Sequence, residues 1–250
     1  MSRLPRVCQL ILFYALLAWL GSMLLIATLA ALPLLLVPAS IRQPVVQLGI
    51  GSICRIFLAG SSACGLMRLD LAALDSLKYR QKLLLTPNHP SLIDAFLILS
   101  RIPHAICLMK ASISMNLFLG IGARLAGYVS NRHPDQMFRS AISVVQQGGL
   151  LLVFPEGTRT TRQPVNPLQG AAALIAKHAH APLQAILLTT NSAYLSKGWP
   201  LLRPPAFPLI YRACLGPLIE PATAVTSTTD GMQQVFERGM SQSIDPDLSI

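Results

Sequence analysis

The stretch "KLLLTPNHPSLIDAFLILS" spans residues 82–100 and joins two different hydrophobic patterns through a short polar segment. The first pattern is a continuous apolar run that ends at a proline and an asparagine, which is typical of a buried β-strand. The second pattern has apolar residues at helical spacing, which predicts an amphipathic helix. The junction between the two patterns contains His89 and Asp94, so titratable side chains lie where a predicted strand passes into a predicted helix.

The same alternation of strand and helix patterns continues along the chain after about Arg68. Further strands are predicted at residues 105–110, 127–131, 150–156 and 183–190, and further helices at residues 137–149, 168–181 and 230–244. Continuous apolar strands that alternate with helices predict an α/β fold with a largely parallel central sheet flanked by helices. Since ligands bind at the carboxyl ends of the strands in such folds, polar residues that directly follow the strands become candidates for one site.

The beginning of the chain differs from the rest because it is almost free of charge. No charged residue occurs between Arg6 and Arg42, and this run exceeds the ~20 helical residues that cross a bilayer. Pro33 and Pro38 are expected to break or bend its far end. Two interpretations remain open, a single tilted span and a hairpin that dips into one leaflet and returns. Because arginines flank the run on both sides, the charge pattern favours the hairpin.

A second apolar stretch, from Val45 to Met67, is interrupted by Arg55 and by glycines, and it predicts a weaker, partly interfacial helix. We therefore expect residues 1–67 to form a membrane anchor with one long and one weaker helix, ahead of a folded domain at residues 68–250. A cleaved signal peptide is an alternative, but its apolar region would be only about 7–15 residues long.

The composition favours a membrane and anionic partners. Hydrophobic residues make up 52% of the 250 residues and charged residues 12%, whereas soluble domains typically contain about 25% charged residues. Twenty basic residues oppose ten acidic ones, which gives a formal net charge of +10. A basic surface attracts anionic lipid headgroups or phosphorylated substrates. The low aromatic content and the lack of a basic helix in the pattern argue against nucleic acid as a partner.

The five cysteines are scattered and include no CxxC pair, so we expect neither a disulfide framework nor a zinc site. Unpaired cysteines also favour a reducing compartment. A histidine and an aspartate can bind a metal, but no third ligand stands at a convincing spacing, so no metal site is predicted. The segment "GIGARLAG" at residues 120–127 does not match a dinucleotide-binding fingerprint, and no Walker A loop occurs, which argues against nucleotide binding.

His89 and Asp94 are too far apart in sequence to share one face of a regular helix, since five residues correspond to roughly 140° of rotation. Pro90 is typical of the first helical position, and this would leave the His89 ring outside the helix, free to fold toward Asp94. Asp94 could then orient one ring nitrogen while the other acts as a base, as in part of a catalytic triad. The alternative is a packed histidine at a capped helix start. Since no GxSxG elbow occurs, the nucleophile is expected to be a hydroxyl of the substrate.

Three cations follow the predicted strands, Arg159 in "FPEGTRT", Arg132 after "GYVSN" and Lys110 at the end of "AICLMK". An arginine binds phosphate through two parallel hydrogen bonds and keeps its charge. Each residue alone is explained more simply as a solvated surface charge. The three together, at strand ends of a chain with few charges, favour an anion site.

Three of these segments together resemble the sequence blocks of the glycerolipid acyltransferases, the 1-acylglycerol-3-phosphate acyltransferase family. The segment "NHPSLID" resembles the NHxSxxD block, "GYVSNR" resembles the second block, and "FPEGTRT" is similar to FPEGTRS. Their order and spacing agree over roughly residues 80–190. The resemblance implies an α/β acyltransferase domain at residues 68–250, preceded by membrane-embedded helices.

The resemblance also implies roles for individual residues. His89 would be the general base, Asp94 would orient it, and Arg159 would bind the phosphate of the acceptor. The remaining residues that are expected to bind substrate are Gly157, Thr158, Glu156, Arg132 and Lys110.

The implied reaction is O-acyl transfer to the hydroxyl of a lysophospholipid, with 1-acylglycerol-3-phosphate as the expected acceptor, in phospholipid biosynthesis at the cytoplasmic face of the inner membrane. Acyl-CoA or acyl-carrier protein would be the donor substrate, and no cofactor is expected. Two departures concern the acceptor: Gln169 stands where many members carry a lysine, and Pro182 alone remains of a proline–valine repeat. Two alternatives therefore stay open, a different specialised lipid acceptor and a non-catalytic, membrane-bound lipid-binding protein.

Overall fold

The computed structural model describes residues 5–116 and 119–242 and forms one seven-stranded sheet with the order β1-β7-β6-β2-β5-β3-β4. The strands are β1 (Met67–Asp70), β2 (Leu83–Pro87), β3 (Ile106–Met109), β4 (Val129–Ser130), β5 (Leu150–Leu152), β6 (Leu183–Thr190) and β7 (Leu209–Ile219). Within the described residues every strand pair is parallel except β6 with β7. The predicted α/β fold with a largely parallel sheet is confirmed.

Eight α-helices connect and cover the strands of the described chain. They are α1 (Arg6–Ala31), α2 (Ala39–Ala63), α3 (Asp94–Arg101), α4 (Ala111–Ser114), α5 (Gly120–Leu125), α6 (Pro134–Gln146), α7 (Ala171–Ala179) and α8 (Val225–Gln242). Short 3-10 helices follow α1 and β1, at Leu32–Leu36 and Ala72–Leu77. Each helix predicted from the pattern is found, and the described part of the predicted C-terminal helix lies within α8.

Strands β1 and β7 were not predicted. The first is short and contains Arg68 and Asp70, so it lacks a continuous apolar run. The second alternates buried with partly exposed residues and contains Gly216 and Pro217, which weaken a strand pattern. Both lie at one side of the sheet, where β7 pairs with β1 in parallel and with β6 antiparallel.

Helices α1 and α2 form a helical hairpin, and the charge-free run near the N-terminus supplies α1, the turn and the start of α2. Helix α1 ends at Ala31, the 3-10 turn contains Pro33, and α2 follows directly after Pro38. The two helices touch, since a side chain at Gly60 of α2 would collide with the ring of Trp19 in α1. The two-helix shape matches the hairpin alternative, whose position in a membrane stays a prediction. Helix α2 begins at Ala39, before the start of the predicted Val45–Met67 stretch.

Both faces of the sheet are covered by packed side chains, because neighbouring residues of a strand point to opposite faces. On one face Leu83 and Leu85 pack in a core that also contains Phe13 of α1 and Phe57 of α2. On the other face Leu84 packs in a core formed with α6, α7 and α8. The N-terminal helices therefore share a hydrophobic core with the sheet.

Helix α2 approaches the domain closely through Gly51. A Cβ atom at this position would lie 2.3 Å from the Cβ of Pro103 and 2.9 Å from the carbonyl oxygen of Leu99 at the end of α3. The absence of a side chain at Gly51 thus allows the two helices to pack backbone to backbone.

Two helical segments, Arg6–Leu36 and Ala39–Ala63, are long and apolar enough to cross a membrane. They differ in burial: 6% of the most apolar stretch of the first segment is buried within the protein, compared with 39% of the most apolar stretch of the second. An apolar helix in a folded protein is usually covered by other protein or by lipid. The protein itself covers one side of α2 and leaves most of α1 uncovered.

Candidate active site

The junction between β2 and α3 is longer than the sequence predicted. Helix α3 begins at Asp94, and Pro90 lies in a bend before it rather than in the first helical turn. The prediction that Pro90 occupies the first helical position is therefore wrong. The reason is local, because Asp94 Oδ2 accepts a hydrogen bond from the Ser91 N–H at 2.8 Å and holds residues 91–93 as a turn outside the helix. This turn leaves room for His89 to fold back.

The structure brings the two predicted catalytic side chains into direct contact. The Nδ1 atom of His89 lies 2.9 Å from Asp94 Oδ2, and because a carboxylate only accepts, Nδ1 is the donor. The imidazole stacks on the ring of Phe154 with centroids 3.9 Å apart. With the proton on Nδ1, the second ring nitrogen, Nε2, is free to accept one. His89 borders a cavity, so this nitrogen belongs to a side chain that a substrate can reach.

Asp94 is fully buried, with 0% of its surface exposed. Burial raises the pKa of its carboxyl group, and the hydrogen bonds from His89 Nδ1 and from the Ser91 N–H oppose that rise. The neighbouring Asn88 fixes the backbone of the junction, since it exchanges two hydrogen bonds with Leu188 of β6, at 2.9 and 2.7 Å. At Asp94 burial has the larger effect, so the pKa of its carboxyl group lies above its usual value despite the hydrogen bonds from His89 and Ser91.

Glu156 holds the His89 junction and the "FPEGTR" loop together. Its carboxylate accepts hydrogen bonds from the His89 N–H at 2.8 Å, the Thr160 hydroxyl at 2.7 Å and the Asn166 N–H at 2.9 Å. The side chain is 2% exposed, and Glu156 is absent from the cavity lining of the described chain. This position does not fit the predicted substrate-binding role. Glu156 holds the backbone of His89 instead.

Arg159 lies in the same loop and borders the same cavity as His89. Its Nη1 donates hydrogen bonds to the carbonyl oxygens of Leu195 and Ser196, at 2.9 and 3.0 Å. These bonds use one edge of the guanidinium group and fix its position. The Nε and Nη2 donors have no protein partner within the described residues, so they remain available to an anion.

Gly157 and Thr158, which are predicted to bind substrate, also border the cavity. Gly157 has a φ of +65°, which favours glycine. A Cβ here would lie 2.7 Å from the side-chain amide of Gln169, so Gln169 packs directly over the turn. Gln169 itself borders the cavity. The departure from the family pattern at position 169 thus puts a neutral amide beside this loop.

The two remaining predicted cations lie in different surroundings. Lys110 borders the cavity at the start of α4. Arg132 is exposed, and in the described chain its neighbour Asn131, not Arg132 itself, contributes to the cavity lining. The structure therefore brings Lys110, but not Arg132, to the site that contains His89 and Arg159.

The cavity has a volume of about 1240 Å³. Ligand pockets are typically ~300–1,000 Å³, so this one accommodates a large ligand. Its walls are mostly apolar and come from the N-terminal helices, α3 and the sheet, and they include Leu16, Leu20, Phe57, Phe96 and Leu209. A long apolar chain fits this lining, whereas the polar lining residues His89, Arg159, Lys110 and Lys197 suit a reactive, charged group.

The sequence patterns did not single out Phe154, Lys197 or the loop that follows β6 as parts of the site. Phe154 was included only as a residue of a motif, and its stacking on His89 requires the fold. Within the described residues no cluster of three or more histidine, cysteine, aspartate or glutamate side chains could hold a metal ion. All five cysteines are free thiols.

Comparisons with known proteins show similarity in sequence pattern and in fold. Residues 68–189 match a family model described as Acyltransferase. Among solved structures, the chain is similar to the crystal structure of the 1-acyl-sn-glycerophosphate (LPA) acyltransferase, PlsC, from Thermotoga maritima, with a TM-score of 0.67 and 18% sequence identity. The match covers 93% of each chain, so the similarity in fold extends well beyond residues 68–189.

Proposed function

We propose that this chain, whose residues 68–189 match the Acyltransferase family model, is an O-acyltransferase that moves a fatty acyl group from a thioester to the hydroxyl of a lysophospholipid. The proposed acceptor is 1-acylglycerol-3-phosphate, the proposed donor is acyl-CoA or acyl-carrier protein, and the proposed process is phospholipid biosynthesis. The observation that carries this proposal is His89, hydrogen-bonded to the buried Asp94, on the wall of a large apolar cavity that Arg159 also lines.

In the proposed reaction His89 Nε2 takes the proton of the acceptor hydroxyl while the hydroxyl oxygen bonds to the thioester carbonyl carbon. Asp94 keeps the other ring proton on Nδ1 and stabilises the imidazolium that forms. When the tetrahedral intermediate collapses, the carbon–sulfur bond breaks and His89 returns the proton to the thiolate. General base catalysis of this kind contributes about 10²–10⁴-fold to the rate.

The anchored guanidinium of Arg159 supports an anionic headgroup on the acceptor. Because Nη1 is already held by two carbonyl oxygens, the free edge of the group needs no reorganisation to bind phosphate. Lys110 adds a second positive charge on the cavity wall. Both residues are proposed to bind the acceptor phosphate, in the loop that Gly157 and Thr158 shape.

A second candidate is the same acyl transfer to a specialised lipid whose headgroup is not a phosphate monoester. The observation that favours it is Gln169, a neutral side chain that packs over the Gly157 turn and borders the cavity. A phosphate monoester carries up to two negative charges, and a neutral amide compensates them less well than the lysine that many family members carry.

We further propose that residues 1–67 anchor the acyltransferase domain, residues 68–250, to the cytoplasmic face of the inner membrane, with membrane lipids as partners. The support is the uncovered apolar surface of α1 and the share of the cavity wall that α1 and α2 provide. An acceptor lipid and its acyl chain would then exchange between the bilayer and the cavity without crossing water.

The experiment that tests the proposal offers the purified full chain, in detergent, palmitoyl-CoA or palmitoyl-acyl-carrier protein together with a panel of lysolipids. Thiol release and the mass spectra of the products are measured. We expect release that depends on added lysophosphatidate and a product that has gained one acyl chain. A product from a different lipid alone would favour the second candidate. Thiol release that no acceptor increases would contradict acyl transfer and favour the non-catalytic alternative.

A further inference from the structure

The turn Trp199–Arg203, with the sequence "WPLLR", presents two adjacent leucines to the outside of the protein. Leu201 is 56% exposed and Leu202 is 64% exposed. Single exposed leucines are ordinary on protein surfaces, but a pair at the tip of a turn forms an apolar patch. The chemistry proposed above makes no use of the Leu202 side chain.

The turn is fixed in a way that keeps both leucines outside. The indole Nε1 of Trp199 donates to the Arg203 carbonyl at 3.0 Å, and the Arg203 N–H donates to the Pro200 carbonyl at 3.0 Å. The Arg203 guanidinium lies 4.9 Å from the centre of the indole ring. On its inner side Trp199 packs edge-on against Tyr194, with ring centroids 6.2 Å apart. The leucines are thus displayed by a structured turn rather than by a loose loop.

The apolar patch continues onto helix α1. The Tyr14 hydroxyl donates a hydrogen bond to the Leu202 carbonyl at 3.2 Å, which ties the turn to the helix. Val7, Ile11 and Tyr14 are 67%, 63% and 46% exposed. Their spacing places them on one face of the helix. The turn and this face of α1 therefore form one apolar surface.

Basic residues flank the patch. Lys197 precedes the turn and Arg203 ends it, both are exposed, and the segment 191–208 contains no acidic residue. Apolar residues next to tryptophan and basic side chains match the chemistry of the boundary between lipid headgroups and acyl chains. The basic residues would meet the phosphates of anionic lipids, while the leucines enter the acyl region.

We propose that the turn Trp199–Arg203 docks on an anionic lipid surface, with Leu201 and Leu202 inserted and Lys197 and Arg203 on the headgroups. The proposal rests on the proposed membrane location but goes beyond it, because it assigns a lipid contact to the acyltransferase domain itself. Leu201 and Lys197 also border the cavity. A docked turn would therefore bring the cavity wall to the surface from which a lipid acceptor arrives.

The test places a fluorescent reporter at the tip of the turn in the full chain. Leu202→Cys is labelled with an NBD group, in a background in which serine replaces the three cysteines that are not buried, Cys8, Cys64 and Cys214. The protein is bound to phosphatidylglycerol vesicles with or without a nitroxide on the lipid acyl chain. The matched control is Leu218→Cys, which replaces another exposed leucine, 51% exposed, near the opposite end of β7. Leu201→Cys serves as a second reporter for the turn.

We expect nitroxide quenching at position 202 to be at least about threefold stronger than at position 218. The reason is that an inserted leucine lies ~5–10 Å into the boundary between headgroups and acyl chains. Equal quenching at both positions, or a protein that does not float with the vesicles, would overturn the proposal. A blue shift of the NBD emission at position 202 without nitroxide quenching would overturn the proposal, because it would indicate that a second copy of the chain, and not lipid, covers the turn. Equal quenching in phosphatidylcholine vesicles would refute the anionic preference. Acyl transfer measured on the same samples separates the two ideas, because quenching that persists without acyl transfer contradicts only the proposed function.

Discussion

The His89 junction and the N-terminal helices border the same cavity but are held in different ways. At the junction, Asp94, Glu156 and Asn88 accept directed hydrogen bonds that hold the His89 ring and the neighbouring backbone. The helices are held mainly by apolar packing, as with Phe13 against Phe207. Hydrogen bonds depend steeply on distance and angle, whereas apolar contacts are non-directional. The comparison teaches that the proposed catalytic junction is held by directional contacts, while the apolar cavity wall is held by contacts that tolerate adjustment.

Removing the imidazole should have the largest effect. We expect His89→Ala to lower kcat/KM for acyl transfer by about 10²–10⁴-fold, because no general base remains. Thiol release from acyl-CoA in the presence of saturating acceptor measures this loss. His178→Ala, which truncates an exposed histidine of α7, is the matched control and should keep the parental rate. A His89→Ala enzyme with the parental rate would remove the histidine from the mechanism.

Removing the Glu156 carboxylate should disrupt the hydrogen-bonded His89 junction. In Glu156→Ala three donors, from His89, Thr160 and Asn166, lose their acceptor. We expect a loss of about 3–5 kcal/mol in the free energy of unfolding, since hydrogen bonds to a buried charge are lost together. Chemical unfolding of the variant and the parent in the same detergent measures this free energy. Glu237→Ala, at an exposed carboxylate, should cost within about 0.5 kcal/mol. Equal losses in the two variants would refute the positioning role of Glu156.

Two glycines in α2 test the other region, the apolar packing of the N-terminal helices. Gly51→Ala would place a methyl group 2.3 Å from the Cβ of Pro103, whereas Gly49→Ala meets no atom within 4 Å. We expect Gly51→Ala to destabilise the protein by about 1–3 kcal/mol through overpacking. We expect Gly49→Ala to be neutral or to stabilise by up to about 1 kcal/mol through helix propensity. The midpoints of thermal unfolding give the order of the two variants. The opposite order would show that α2 does not pack on α3 in this way.

The smallest effect concerns acceptor binding. In Arg159→Lys one charge remains, but the planar fork that holds two carbonyl oxygens and faces the cavity is lost. We expect the acceptor KM to rise about tenfold with kcat nearly unchanged, since a bidentate contact becomes a point charge. Initial rates over a range of acceptor concentrations give both constants. Arg162→Lys, at an exposed neighbour in sequence, is the control. An unchanged KM in Arg159→Lys would exclude the phosphate role.

The same contrast explains which features could be predicted from sequence. The β2–α3 junction was predictable because a continuous apolar run and a helical pattern flank His89 and Asp94 directly. The start of α3 was not, since Pro90 suits a turn as well as a first helical position. What decides is a hydrogen bond from the Ser91 N–H to Asp94, which depends on the rotamer of one side chain.

Other parts of the site depend on contacts between segments that are distant in sequence. Glu156 looked like a polar residue of a substrate loop, but its partners include the backbone of His89 on another loop. Arg159 is anchored by the carbonyl oxygens of Leu195 and Ser196, and any residue type provides a carbonyl oxygen, so no side-chain pattern marks this contact. Strand β7 was missed because it alternates and contains Gly216 and Pro217.

The central claim is that His89 and Asp94 act as one catalytic unit, and a double-variant cycle tests it most directly. Rates of acceptor-dependent thiol release are measured for His89→Ala, Asp94→Asn and the double variant. Because Asp94 is proposed to act on the reaction through the imidazole, and Asp94→Asn keeps an acceptor oxygen for the Ser91 N–H, the account predicts that the double variant is no slower than His89→Ala, within about twofold. Losses that multiply in the double variant would show that the two residues act independently and would contradict the account.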